Sequence, residues 1–145
     1  MERDLFTQLP AYFRLLQLRD PHAYTHLSLN QNTGRFQRLF ICPGASQYVF
    51  GYCRPFIALD GTFLKTRFIQ TLLQAVTIDA NNKILPLAYA VVESENTSSW
   101  ENFIAHLKAE IPRITSRTIT SDRGKGLQQF LKLFYKQFKH TVVSI

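Results

Sequence analysis

The chain of 145 residues has only two cysteines, Cys42 and Cys53. That is too few for a disulfide framework, so a reducing compartment is the expected setting. No uninterrupted apolar run approaches the roughly 20 residues needed to cross a bilayer. The N-terminus, Met1-Glu2-Arg3-Asp4, is charged, with no apolar segment behind it, which argues against a secretory leader. Internal repeats and low-complexity stretches are also missing. Apolar side chains are plentiful: they make up 46% of the chain and aromatics 13%, with 12 Phe and 6 Tyr. That composition excludes disorder. A chain of this length suits one domain and can bury about 70% of its unfolded surface.

Acidic residues are scarce in one place. Against 17 Lys and Arg there are 10 Asp and Glu, a formal charge of +7. Residues 1–60 carry six basic and four acidic groups, residues 61–110 four and five, and residues 111–145 seven and one. Nearly all the excess therefore lies in the last quarter, as a basic face rather than a uniformly cationic surface. A polyanion such as nucleic acid is its natural partner, and a solvated lysine face kept for solubility is the competing reading.

Apolar residues spaced three or four apart from Leu5 to Leu18 predict a helix that closes at Arg19-Asp20-Pro21. Tyr24 to Leu29 and Phe36 to Ile41 flank Asn30-Gln31-Asn32-Thr33-Gly34 in a hairpin pattern, and Pro43 to Arg54 reads as a connecting segment. Phe56-Ile57-Ala58-Leu59-Asp60 reads as a central strand buried on both faces and ending on a carboxylate. Phe68 to Ile78 and Ile84 to Val92 form a second hairpin around Asp79-Ala80-Asn81-Asn82-Lys83. Pro86 cannot donate a ladder hydrogen bond, which predicts an edge position for its strand.

A helix follows, opened by Ser98-Ser99-Trp100-Glu101 in capping-box form with Glu101 as a cap, striped by Trp100, Phe103, Ile104, Leu107 and Ile111, and stopped at Pro112. Arg117 to Asp122 is a short strand that again ends on an aspartate. In the next predicted helix Lys125, Lys132, Lys136 and Lys139 line up opposite an apolar face, and Thr141 to Ile145 reads as another strand. The predicted sheet order is Pro86 strand, Phe68–Ile78, Phe56–Asp60, Thr118–Asp122, then the last strand. The fold class is a mixed α/β sheet of five strands with flanking helices. The division expected is an N-terminal helix and hairpin over residues 1–54, packed on a core of residues 55–145.

If the strands ending at Asp60 and Asp122 are adjacent and parallel, both carboxylates emerge near one end of the sheet, where open α/β sheets bind ligands. Two close carboxylates repel unless a cation lies between them, and oxygen ligation suits Mg²⁺ or Mn²⁺. The pair reads as a metal site, although an Asp at a strand end is often only a turn or cap residue.

Three stretches carry a resemblance: Ala58-Leu59-Asp60-Gly61-Thr62-Phe63-Leu64-Lys65, then Pro86 to Asn96 followed by Ser99-Trp100, then Thr120-Ser121-Asp122-Arg123-Gly124-Lys125-Gly126-Leu127. With the upstream Arg38 to Ala45 and Cys53-Arg54-Pro55, they resemble the transposase domain of Mutator-like elements over roughly residues 9–130. The resemblance implies a ribonuclease H-like fold and a DDE-type transposase, a nuclear enzyme in which three carboxylates hold two divalent ions for DNA strand cleavage and transfer. Asp60 and Asp122 match the first two acids. The third acid, and a Cys and His pair downstream of the second Asp, fall beyond Ile145. The chain is thus expected to be a C-terminally truncated piece of a catalytic domain, inactive by itself, and an enzyme only if the third carboxylate follows in a full-length chain.

Asp60 would bridge both ions and Asp122 would hold one. Lys65, Arg123 and Lys125 lie within a few residues of these acids and are candidate phosphate contacts, as are Lys132, Lys136 and Lys139. The implied partners are DNA and a divalent metal, with no membrane; a homo-oligomer of the full-length transposase stays open. Competing functions are a domesticated derivative that binds DNA or protein without cutting, and a metal-dependent ribonuclease H-like nuclease.

Other signals carry less. Cys42, Cys53, His22 and His26 fit no familiar zinc spacing and read as buried thiols and ordinary histidines. Gly124-Lys125-Gly126 lacks the full P-loop pattern, and Trp100 reads as core before base-stacking. Glu93, Glu95 and Glu101 lie near the strand-to-helix junction, where a nuclease of this fold could recruit a carboxylate.

Overall fold

The computed structural model describes residues 8–65, 69–121 and 142–144. Its elements in chain order are α1 (Leu9–Arg19), β1 (Tyr24–Leu29), β2 (Phe36–Cys42), α2 (Gly44–Val49), a 3₁₀ turn (Phe50–Tyr52), β3 (Phe56–Lys65), β4 (Ile69–Ile78), β5 (Ile84–Val92), α3 (Thr97–Glu110), a second 3₁₀ turn (Pro112–Ser116), β6 (Thr118–Ser121) and β7 (Val142–Ser144). All the strands join one sheet in the order β1-β2-β5-β4-β3-β6-β7. β3, β4 and β5 pair antiparallel in succession, and β3–β6 and β6–β7 pair parallel. The five strands β5-β4-β3-β6-β7 follow the predicted order, a mixed α/β arrangement compatible with the expected ribonuclease H-like class.

The predicted edge position of Pro86 is wrong. The β1–β2 hairpin extends the sheet, with β2 pairing to β5 from Arg38↔Val92 to Ile41↔Tyr89. Proline is accommodated in two ways. The β2 pairing stops at Tyr89, before it reaches Pro86. On the other side the β4–β5 register jumps from Ala75↔Ala88 to Val76↔Pro86, so Leu87 forms a bulge, where the ladder is already interrupted. The Cys42 thiol donates to the Leu87 carbonyl oxygen at 3.6 Å.

The segment expected to be a plain connection between residues 43 and 54 contains α2. Asp20, just past α1, accepts from the Gly44 backbone N–H through Oδ2 at 3.0 Å and so satisfies a first-turn donor of that short helix. A contact across 24 positions is not visible in a local pattern. The α3 start also differs from expectation. Asn96 is the N-cap, in extended conformation, and its side chain accepts from the Ser99 N–H at 2.8 Å. Glu101 is exposed on the helix and caps nothing.

The core lies between α3 and one sheet face. Trp100, Phe103, Ile104, Leu107 and Ile111 are buried as the stripe predicts, together with Phe40, Ile57, Leu59, Leu73, Leu87 and Val92. Phe103 meets both Phe40 and Trp100 edge-on, with ring centroids 5.6 Å apart in each pair, the geometry aromatic quadrupoles favour. β3 was expected to be buried on both faces. Instead Ile57 and Leu59 are buried and Ala58 and Asp60 are half-buried, because α3 covers only one side of the pleat.

Candidate functional site

Asp60 is the fifth of ten residues of β3, not its end. The strand runs on because β4 pairs with it from Ala58↔Val76 to Lys65↔Ile69. What ends near Asp60 is the pairing on the other side, since β6 matches β3 from Phe56↔Thr118 to Leu59↔Ser121. Asp60 therefore stands one residue past the paired parallel strands, toward their carboxyl ends, the place ligands take in such sheets. It is half-buried, and its Oδ2 accepts from the Thr62 hydroxyl at 3.4 Å. Strand alternation puts Asp60 and Thr62 on the face away from α3.

Asp122, Arg123, Lys125, Lys132, Lys136 and Lys139 lie outside the described residues. Lys65 closes β3, about 17 Å along an extended strand from Asp60, so sequence proximity does not bring its backbone near. Ser121 is buried, and its Oγ has no hydrogen-bond partner among the described residues. Among the described residues no three His, Cys, Asp or Glu side chains come together as a metal cluster.

Of the three junction carboxylates, Glu93 and Glu95 have separate contacts and Glu101 is exposed. Glu93 takes a forked ion pair from Arg38, with Nη2 at 2.9 Å and Nε at 3.4 Å, and Arg38 also reaches the Ser98 hydroxyl at 3.1 Å. Glu95 lies over the residue after Asp60. A Cβ on Gly61 would be 2.8 Å from the Glu95 carboxyl carbon, so only glycine admits that approach. The indole Nε1–H of Trp100 donates to Glu95 Oε1 at 3.3 Å. Glycine following the aspartate was the available signal for this contact, but its partner, 34 positions on, was not legible.

Among the described residues Cys42, Cys53, His22 and His26 do not come together as a group of metal ligands. Cys42 is fully buried and its thiol is pushed up to about 12 by that burial, with Glu110 and Asp20 adding to it. Cys53 donates to the Val49 carbonyl oxygen at 3.3 Å, and its pKa is also raised, by burial and then by Asp79. His26 instead packs against His106, with ring centroids 4.5 Å apart and the planes tilted by 35°. His106 Nδ1 lies 3.1 Å from the Tyr24 hydroxyl, and the ring stacks on Phe40. Burial, then His26, lowers the His106 pKa.

Fold and site together define a mixed α/β domain with an aspartate on its central strand beside the carboxyl end of a parallel neighbour. The family model of the MULE transposase domain matches residues 56–143, from the start of β3 into β7. The chain belongs to that family. Comparison with curated proteins gave no match, and comparison with solved structures gave none.

Proposed function

We propose that this domain acts on DNA as a DDE-type transposase of ribonuclease H-like fold, with Asp60 and Asp122 as two of the carboxylates that hold its divalent ions. The observation that carries this reading is the position of Asp60 in a MULE transposase domain: on the central strand, one residue past the last β3–β6 pair. The donor chemistry fits. The Asp60 carboxylate is partly exposed and hydroxyl-bonded through Thr62, a hard oxygen donor of the kind Mg²⁺ and Mn²⁺ prefer.

When bound, such ions activate the attacking oxygen and stabilise the leaving oxygen of an in-line displacement at phosphorus. The chain's own contribution is positional. The pairings of β3 with β4 and β6 hold the backbone of Asp60, Thr62 orients its carboxylate, and the basic C-terminal quarter supplies phosphate contacts through Arg123, Lys125, Lys132, Lys136 and Lys139. Those contacts hold the DNA without reading its sequence.

A Mn²⁺ titration followed by NMR line broadening tests the reading. Broadening should centre on residues 58–62 and 119–122, and Asp60→Asn with Asp122→Asn should abolish it while stability stays level or rises, as a like-charge pair is relieved. Broadening that persists in the double variant, or that centres elsewhere, overturns the metal assignment.

A further inference from the structure

At the end of the sheet where β3 and β6 begin, away from Asp60, the surface holds a groove of about 570 Å³ between the Gln47–Tyr52 turn and the Glu110–Arg113 segment. Two large aromatic side chains stand open on its rim: Tyr48 is 76% exposed and Tyr52 74%. Their rings are 6.1 Å apart and tilted by 43°, so they do not cover each other and both present free faces. Exposed tyrosines that bury nothing of their own core are typical of binding surfaces.

The walls are tied together. Gln47 Nε2 donates to Glu110 Oε2 at 2.7 Å. A Cβ on Gly51 would lie 2.7 Å from an Arg113 guanidinium nitrogen, so the absence of a side chain there lets the cation lie against the turn. Arg117 stands behind the groove rather than in its lining, with its guanidinium carbon 5.4 Å from the ring centroid of the buried Phe50 and a buried Nε that has no hydrogen-bond partner among the described residues. Among the described residues Glu110 is the acid that lines the groove, and the Gln47 amide holds its carboxylate against that wall.

We propose that this groove is a second nucleic-acid contact, which takes an unpaired stretch of polynucleotide with bases stacked on Tyr48 and Tyr52 and phosphates toward Arg113. Cations beside exposed rings are the combination that single strands use. Bases within a duplex have no free face to offer, so the tyrosines select the unpaired form. The distance from Phe56 to Asp60 along β3 is about 13 Å, short enough for one strand to reach from the groove toward the Asp60 end. The inference takes from the proposed function only that DNA is the partner. It does not depend on the metal.

Fluorescence anisotropy with a labelled oligothymidylate of about 12 nucleotides, and with a duplex of the same length, tests it in EDTA, so that a failure of metal binding at Asp60 cannot affect the result. Tyr48→Ala with Tyr52→Ala should weaken oligothymidylate binding at least about tenfold while duplex binding stays within about twofold. Tyr48→Phe with Tyr52→Phe should keep the affinity, because the ring faces remain. Arg113→Gln should lower the salt dependence of oligothymidylate binding by about 0.7 log unit per log unit of salt, and the tyrosine variants should leave that slope alone. The proposal is overturned if the unaltered chain fails to bind oligothymidylate, if the alanine pair changes its affinity by less than about twofold, or if oligothymidylate and duplex weaken equally.

Discussion

The two faces of the sheet are built by the same strands and differ in almost every physical respect. On the α3 side, Thr71, Leu73, Ala75 and Thr77 of β4 are all buried. On the other side the intervening Leu72, Gln74 and Val76 are half-buried. A polar group on the packed face is paired within the sheet: the Thr77 hydroxyl, fully buried, donates to the Phe56 carbonyl oxygen at 2.8 Å. The face with Asp60 keeps partial access to water. The packed core lies on one side of a strand and the proposed site on the other, and β3 separates them by a single residue step.

Substitutions that create cavities should show the largest contrast. Leu73→Ala, on the packed face, is expected to cost about 2–5 kcal/mol, whereas Leu72→Ala, its half-buried neighbour, should cost roughly 1 kcal/mol. Urea denaturation of both variants measures the difference. Equal losses would mean that the two faces are equally packed and would break the comparison.

Gly61 comes next, because it is where the packed face meets the site. Gly61→Ala drives a methyl group into the Glu95 carboxylate, which must swing aside and give up the Trp100 indole, and should destabilise by about 1 kcal/mol. Combining it with Glu95→Ala should recover most of that loss, since the clash needs both groups. A fully additive double-mutant cycle would show that the approach of Glu95 to Gly61 is not what constrains the position.

This pattern also explains what the sequence could reveal. The α3 stripe from Trp100 to Ile111 was legible because a helix of 14 residues repeats its period several times. The core strand order was legible because the turn at Asp79–Lys83 forces a hairpin and α3 forces a crossover. Local signals could not show that the β1–β2 hairpin would pair with β5, since an edge is chosen by tertiary fit. Pro86 pointed to an edge by a sound rule, and the bulge at Leu87 met the same requirement another way. Asp60 was singled out from its position after an apolar run. Its placement within the strand depended on how far β4 pairs beyond β6, which is not a local property.

A pH titration probes the seam between the hairpin and α3. His106 has its pKa lowered in the folded chain, so the unfolded chain binds protons first as pH falls. Stability should be level above the ordinary histidine value of about 6.5 and fall as pH drops below it. His106→Gln should flatten that decline in thermal unfolding measured between neutral and mildly acidic pH. A decline that is unchanged in the variant would assign it to other groups.

The smallest effect tests where α3 begins. Asn96 accepts the Ser99 N–H from an extended backbone, satisfying a donor that no helical carbonyl can reach. Asn96→Ala removes that acceptor at a helix end packed against the sheet and should cost about 1 kcal/mol. Glu101, which the sequence pattern marks as the cap, is solvent-exposed four residues into the helix, and Glu101→Gln should change stability by less than about 0.5 kcal/mol. The Asn96 cap also follows directly on Glu95, so fraying at this end loosens the hold of Trp100 on the carboxylate over Gly61. Hydrogen exchange in Asn96→Ala should therefore quicken at the Ser99 and Trp100 amides and, more weakly, around Gly61. Faster exchange at the helix start alone would show that the packed face keeps β3 in place without help from the helix cap.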